Sequence, residues 1–115
     1  GNVSLAFFGD GASNQGQVYE AFNMAKLWSL PVVFVIENNQ YAMGTSVIRS
    51  SAETELHKRG SSFEIKGIQV DGMNVLEVRD AAKKAIKHAR DGKGPMILEM
   101  KTSVMSNFLK ALGVN

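Results

Sequence analysis

Gly9-Asp10-Gly11-Ala12 closes an apolar run that begins at Val3, and Glu37-Asn38-Asn39 closes the next one, Val32-Val33-Phe34-Val35-Ile36. Val3 to Phe8 mixes β-formers with small residues and stops at a glycine, which predicts a buried strand ending in a tight turn. From Gln15 to Trp28, Val18, Phe22, Ala25 and Leu27-Trp28 recur at helical spacing, with Ser13 or Asn14 available as an N-cap. Pro31 ends the connection. The second run is apolar throughout, as a parallel strand covered on both faces requires. Strand, glycine turn, helix and strand form a right-handed crossover unit. In open α/β sheets a ligand lies beyond the carboxyl ends of the strands, where Asp10 and Asn39 both fall.

Asp10 offers a carboxylate, Asn39 an amide oxygen, and the irregular segment after it a backbone carbonyl such as that of Tyr41. Such a hard, all-oxygen set suits magnesium, which completes its octahedral shell with water and phosphate oxygens. Gly9 and Gly11 allow close backbone approach, and the free N–H groups opening the next helix favour an anion. A magnesium diphosphate satisfies these features together. The plain alternatives are a turn or helix-capping aspartate at Asp10 and loop-stabilising amides at Asn38 and Asn39.

The string Gly9-Asp10-Gly11-Ala12-Ser13-Asn14-Gln15-Gly16-Gln17 continues into Asn23-Met24-Ala25, Leu27-Trp28, Leu30-Pro31 and Glu37-Asn38-Asn39-Gln40-Tyr41-Ala42-Met43-Gly44-Thr45-Ser46. It resembles the thiamin diphosphate motif, with the double asparagine 29 positions after Asp10. More narrowly, it resembles the alpha subunits of the decarboxylating component of pyruvate dehydrogenase and of relatives acting on other 2-oxo acids and acetoin. Lys58-Arg59-Gly60, Gln69-Val70-Asp71-Gly72-Met73 and Gly92-Lys93-Gly94-Pro95 continue the match in register, from about Val3 to Thr102.

The resemblance implies that Asp10, the Asn39 side chain and the Tyr41 carbonyl coordinate magnesium, while Gly9, Gly11 and Ala12 hold the diphosphate of thiamin diphosphate. It further implies a beta-type partner subunit whose glutamate activates the aminopyrimidine. Oxidative decarboxylation of a 2-oxo acid would then use the cofactor as electron sink. No residue of this chain is assigned as catalytic. A bacterial cytoplasm or mitochondrial matrix is the implied location.

In the family the chain continues after Thr102 through a tyrosine-rich, histidine-bearing loop, whereas here Ser103 to Gly113 follows. That histidine has no counterpart, nor does the family's region before Val3, which supplies an arginine. The expectation is a central fragment, with full decarboxylase activity absent from it alone. A second reading keeps the fold but not the reaction, as a truncated binding or assembly module. A receiver-like or nucleotide-binding domain ranks last, because neither a phosphate-loop lysine motif nor a dinucleotide glycine pattern is present.

The remaining chain completes an α/β pattern without repeats or linkers, read as one domain over 1–115. A short helix is predicted near Ala52 to Lys58 and a third strand over Gly67 to Val70. The helix Val75 to Arg90 carries an apolar stripe of Val75, Val78, Ala82, Ala85, Ile86 and Ala89, and Pro95 to Met100 returns as a strand. The order βαβ(α)βαβ predicts an open, mostly parallel sheet with flanking helices, the truncated thiamin diphosphate-binding fold. Val104, Met105, Phe108, Leu109 and Leu112 are spaced for a terminal helix that packs on the sheet or meets a partner. Apolar surface left bare in a fragment predicts self-association.

Composition sets bounds. The chain has 115 residues, 44% hydrophobic and 21% charged, with a formal charge of +2, too small to argue for nucleic acid. No apolar run approaches the ~20 residues that span a bilayer. The absence of cysteine excludes disulfides and thiolate metal sites and fits a reducing compartment. Gly1 is not a natural start, so a targeting segment could precede it. His57 and His88 read as surface histidines, Glu37 as an orienting or surface carboxylate, and Ser46 as a loop hydroxyl. Lys83, Lys84, Lys87, Arg90 and Lys93 read as a solvated strip, and the six methionines as gap-filling core residues.

Overall fold

Alternating apolar runs and amphipathic stretches produce a four-stranded, wholly parallel sheet with helices on both faces. The structure is a computed structural model that describes residues 1–9, 16–39, 41–42, 45–46, 56–102 and 112–113. Strand β1 spans Ser4–Gly9, helix α1 Gly16–Leu27 and β2 Val32–Asn38. A two-stranded ribbon, β3 (Tyr41–Ala42) and β4 (Thr45–Ser46), precedes a 3₁₀ helix over Leu56–Phe63. Strand β5 (Lys66–Asp71), helix α2 (Val75–Arg90) and β6 (Met96–Lys101) complete the order. The sheet runs β1-β2-β6-β5, so β2 and β6 are central, and β3 pairs with β4 antiparallel outside it.

Side-chain alternation divides the core into two layers. On one face Phe22 and Ala25 of α1 and Leu56 of the 3₁₀ helix pack with Phe34, Ile36, Ile65 and Ile97. Phe22 meets Phe34 edge-on at 4.8 Å between ring centroids. On the other face Ala81, Ala85 and Ala89 of α2 pack on Val33, Val35, Met96 and Leu98. The expected stripe of α2 is therefore rotated. An alanine row at i, i+4, i+8 gives the closest approach to the sheet, Val78, Ala82 and Ile86 flank it, and Val75 at the first turn is 78% exposed.

Both helix ends follow from local chemistry. Asn74 caps α2 by accepting the N–H groups of Leu76 and Glu77 at 3.1 and 3.2 Å. At its other end Gly92 adopts φ +78°, with Lys93 N–H reaching His88 O and Gly92 N–H reaching Ala89 O, a Schellman closure. Helix α1 closes the same way with Ser29 at φ +48°: Leu30 N–H bonds Ala25 O and Ser29 N–H bonds Lys26 O. Residues 10–15, and with them the expected cap at Ser13 or Asn14, lie outside the described residues.

Two further expectations are corrected. Strand β1 is not buried, because it forms an edge that α2 does not reach; Leu5 and Phe7 stand 47% and 60% exposed. They rim a groove of about 110 Å³ floored by Val33, Val35 and Leu98 and walled by α2. Of the short helix expected near Ala52 to Lys58, residues 52–55 lie outside the described residues, and a 3₁₀ helix spans Leu56–Phe63. Of the methionines, Met24 and Met73 are exposed and Met96 is in the core. The terminal helix expected over 103–113 lies outside the described residues except for Leu112, which is exposed, and Gly113.

The 3₁₀ helix seats against β5 through Gly67, where an added Cβ would stand 1.9 Å from the His57 carbonyl oxygen. Backbone occupies that space, so relief requires moving the helix. Gly67→Ala is therefore expected to lower the unfolding free energy by about 2 kcal/mol or more in denaturant titrations. Gly16→Ala, where a Cβ meets no atom of the described residues within 4 Å, should stay within about 1 kcal/mol of the parent chain.

Candidate functional site at the carboxyl edge of the sheet

Parallel pairing delivers the strand ends to one edge. Gly9, the last residue of β1, lies opposite Glu37 of β2, two positions before Asn39, so β1 and β2 discharge their following segments side by side. Asn39 is half-buried one residue beyond β2, and Tyr41 begins the β3–β4 ribbon, its backbone paired with Ser46. Gly9, Asn39 and Tyr41 thus fall along one short arc of chain at this edge. Asp10, Gly11 and Ala12 lie outside the described residues, and with them the Asp10-to-Asn39 separation. Glu37 is exposed. A Cβ built on Gly9 would meet no atom of the described residues within 4 Å.

The double asparagine divides its labour. Asn38 is 1% exposed, and its side chain turns down onto the α1 face, where Nδ2 donates to Glu99 Oε2 at 2.7 Å. Its carbonyl accepts the Thr102 N–H at 2.8 Å, which extends the β2–β6 ladder past the strand end. On the far side of β6, the Gly72 N–H donates to Lys101 O at 2.7 Å, so β5 is stitched to the same end.

Beneath Asn38 lies the feature that reading the sequence missed. Glu99 is fully buried in central strand β6. Its Oε1 accepts the His57 backbone N–H at 2.9 Å and Gln69 Nε2 at 3.2 Å, and His57 Nδ1 lies 2.9 Å from the same oxygen. Burial alone would push the Glu99 carboxyl up, but the hydrogen bonds from Asn38, from the backbone and ring of His57 and from Gln69 outweigh it and hold it below the usual glutamate range. An ionised carboxylate only accepts, so His57 Nδ1 carries the proton. His57 is accordingly no simple surface histidine; it anchors the 3₁₀ helix to β6. The available signal was a lone charge in the apolar run Met96-Ile97-Leu98-Glu99-Met100 of a central strand, where carboxylates persist only when fully hydrogen-bonded.

His88, half-buried on α2, is held below its usual range by burial first and then by Lys66, Lys93 and Lys26. The basic strip is exposed, with Lys87 paired to Asp91 at 2.7 Å. Asp71, the last residue of β5, accepts the Met73 N–H at 2.9 Å. Among the described residues, no three His, Cys, Asp or Glu gather as a metal cluster, and no helix is long and apolar enough to cross a membrane.

The sequence pattern of the family described as dehydrogenase E1 component matches residues 1–105. Over 101 residues the chain is 66% identical to the pyruvate dehydrogenase E1 component subunit alpha of Rhizobium meliloti, covering 88% of this chain and 29% of that one. The Zymomonas mobilis protein of the same name is 64% identical over 102 residues, 89% of this chain and 29% of its own. Thus the chain spans under a third of the length of these relatives. Among solved structures, a transketolase from Leishmania mexicana superposes with TM-score 0.71 at 22% identity, over 85% of this chain and 15% of that one, a likeness of fold.

Among the described residues, this edge offers an amide-bearing residue just past a β carboxyl end and a glycine at the end of the neighbouring strand.

Because hydrogen bonding places the Glu99 carboxyl lower in the folded chain than in the unfolded one, its stabilisation is complete above the unfolded-state value of about 4.3 and drains away as pH falls through the folded value. Unfolding free energy should therefore decline from about pH 5 downward. Glu99→Gln should cost about 1–3 kcal/mol at pH 7 and flatten the acid limb, as read by denaturant titrations at several pH values.

Proposed function

This chain belongs to the dehydrogenase E1 component family, and from that premise we propose that it is the magnesium and thiamin diphosphate-binding portion of a pyruvate dehydrogenase-like alpha subunit. The observation that carries the reading is the in-register parallel ending of β1 and β2, with Gly9 opposite Glu37 and Asn39 just beyond, in a chain 66% identical to a named alpha subunit. Residues 1–115 act as one domain on the diphosphate side.

In this reading Asp10, the Asn39 amide oxygen and the Tyr41 carbonyl hold magnesium, while Gly9, Gly11 and Ala12 line the diphosphate. Bound there, thiamin diphosphate supplies an electron sink for oxidative decarboxylation of a 2-oxo acid. What this chain contributes is binding and orientation: hard oxygens for the cation and backbone N–H groups for the anion. The complementary half, a glutamate facing the aminopyrimidine, comes from a beta-type partner. Bacterial cytoplasm or mitochondrial matrix is the matching location; one relative carries a mitochondrial name.

Calorimetric titration tests this in the full subunit bearing this sequence, assembled with its beta-type partner. Thiamin diphosphate should bind only with magnesium, and Asp10→Ala or Asn39→Ala should weaken binding at least tenfold, about 1.4 kcal/mol. Absent or magnesium-independent binding overturns the proposal. Self-association belongs to the same reading, supported by the bare Leu5 and Phe7 of β1. Light scattering on the 115-residue chain should show oligomers that Leu5→Ser with Phe7→Ser disperses, and a clean monomer at high concentration contradicts it.

A further inference from the structure

We propose that Glu99 is a positioning residue: by gripping Asn38 and the start of the 3₁₀ helix from beneath the sheet edge, it sets where Asn39 presents its amide oxygen. The inference rests on the reading of Asn39 as a magnesium ligand, and it assigns Glu99, Asn38 and His57 a task that the metal-ligand set does not include.

Three observations support it. First, Asn38 is held at two points, by its side chain on Glu99 Oε2 at 2.7 Å and by its carbonyl on the Thr102 N–H at 2.8 Å. The peptide that leads into Asn39 therefore starts from a fixed orientation. Second, Glu99 Oε1 gathers His57 N and Nδ1 and the Gln69 side chain, so one carboxylate joins β2, β5, β6 and the 3₁₀ helix at the edge where β1 and β2 end. Third, the fold itself does not call for a charge there. Ile97 and Leu98 fill the same strand, and an apolar residue in a central strand generally serves stability as well as or better than a buried ionic group. A carboxylate retained at that cost, with both oxygens aimed at polar groups bordering the edge, fits the outer support that orients metal ligands.

The test uses the full subunit assembled with its beta-type partner and two variants, Glu99→Gln and Asn38→Ala. Manganese binding in the presence of thiamin diphosphate is followed by electron paramagnetic resonance, and amide hydrogen exchange is measured separately without metal or cofactor. Manganese half-saturation should rise about 10–100-fold in both variants. Exchange over residues 34–39 should accelerate in both, exchange over 56–63 in Glu99→Gln alone, and α2 should keep its protection. Half-saturation within twofold of the parent, or unchanged exchange over 34–39, overturns the proposal. Loss of protection that spreads through α2 in both variants also overturns it, since the role would then be structural only. If the parent assembly takes up no manganese, the proposed function fails, and the exchange pattern alone decides whether Glu99 governs the strand end.

Discussion

The arrangement of the sheet's carboxyl edge depends on a charge buried where charges are costly. Glu99 sits in central strand β6, flanked by β2 and β5, and has no access to water. A carboxylate there is tolerable only because donors converge on it from a neighbouring strand on each side and from the helix above. Those donors are contributed by residues 38, 57 and 69, far apart in sequence, so satisfying one side chain brings three distant segments to a common point. The hydrophobic layers supply most of the driving force. What the buried carboxylate adds is direction, since apolar contacts alone would tolerate small shifts of the 3₁₀ helix along the sheet.

The two faces of the sheet solve their packing differently. The α1 face uses rings, with Phe22 at the centre against Phe34, Phe63 and Tyr19. The α2 face uses a row of alanines that brings helix backbone close to the sheet. Aromatic packing leaves irregular space in which a polar cluster can nest, and the Glu99 cluster is indeed on that face. The alanine face leaves its open space at the β1 edge, lined by apolar side chains, and carries no buried charge among the described residues.

Much of this was legible in the residues. The bounds of α2, Val75–Arg90, followed directly from periodicity and from Gly92 just beyond, whereas its Asn74 cap emerged only in the structure, and the parallel β1-α1-β2 unit followed from two apolar runs joined by an amphipathic stretch. Exposure was less legible, because it depends on sheet order, which no local pattern encodes. Val3 to Phe8 looks as apolar as a covered strand, yet it lies at an edge. The stripe of α2 was assigned by hydrophobicity, which favoured Val75 over Ala81; close approach to a sheet favours the small residue instead. The polar cluster escaped notice because Asn38, His57, Gln69 and Glu99 share no spacing that a helix or strand would reveal. Topology puts Gly9 and Asn39 at the carboxyl ends of β1 and β2, while Asp10, Gly11 and Ala12 are beyond the described residues.

The bonds that continue past the strand ends, Thr102 N–H to Asn38 O and Gly72 N–H to Lys101 O, have an entropic consequence. Each one shortens the stretch of chain that must find its place when the edge receives a ligand, because counting begins at the last tie and not at the strand's interior. Closure entropy grows only logarithmically with length, so the larger benefit lies in angle: a segment leaving a doubly held peptide explores a narrow cone. Ordering that would otherwise be charged against affinity is settled during folding. An edge hemmed in this way takes its geometry from the sheet itself, before any other group arrives.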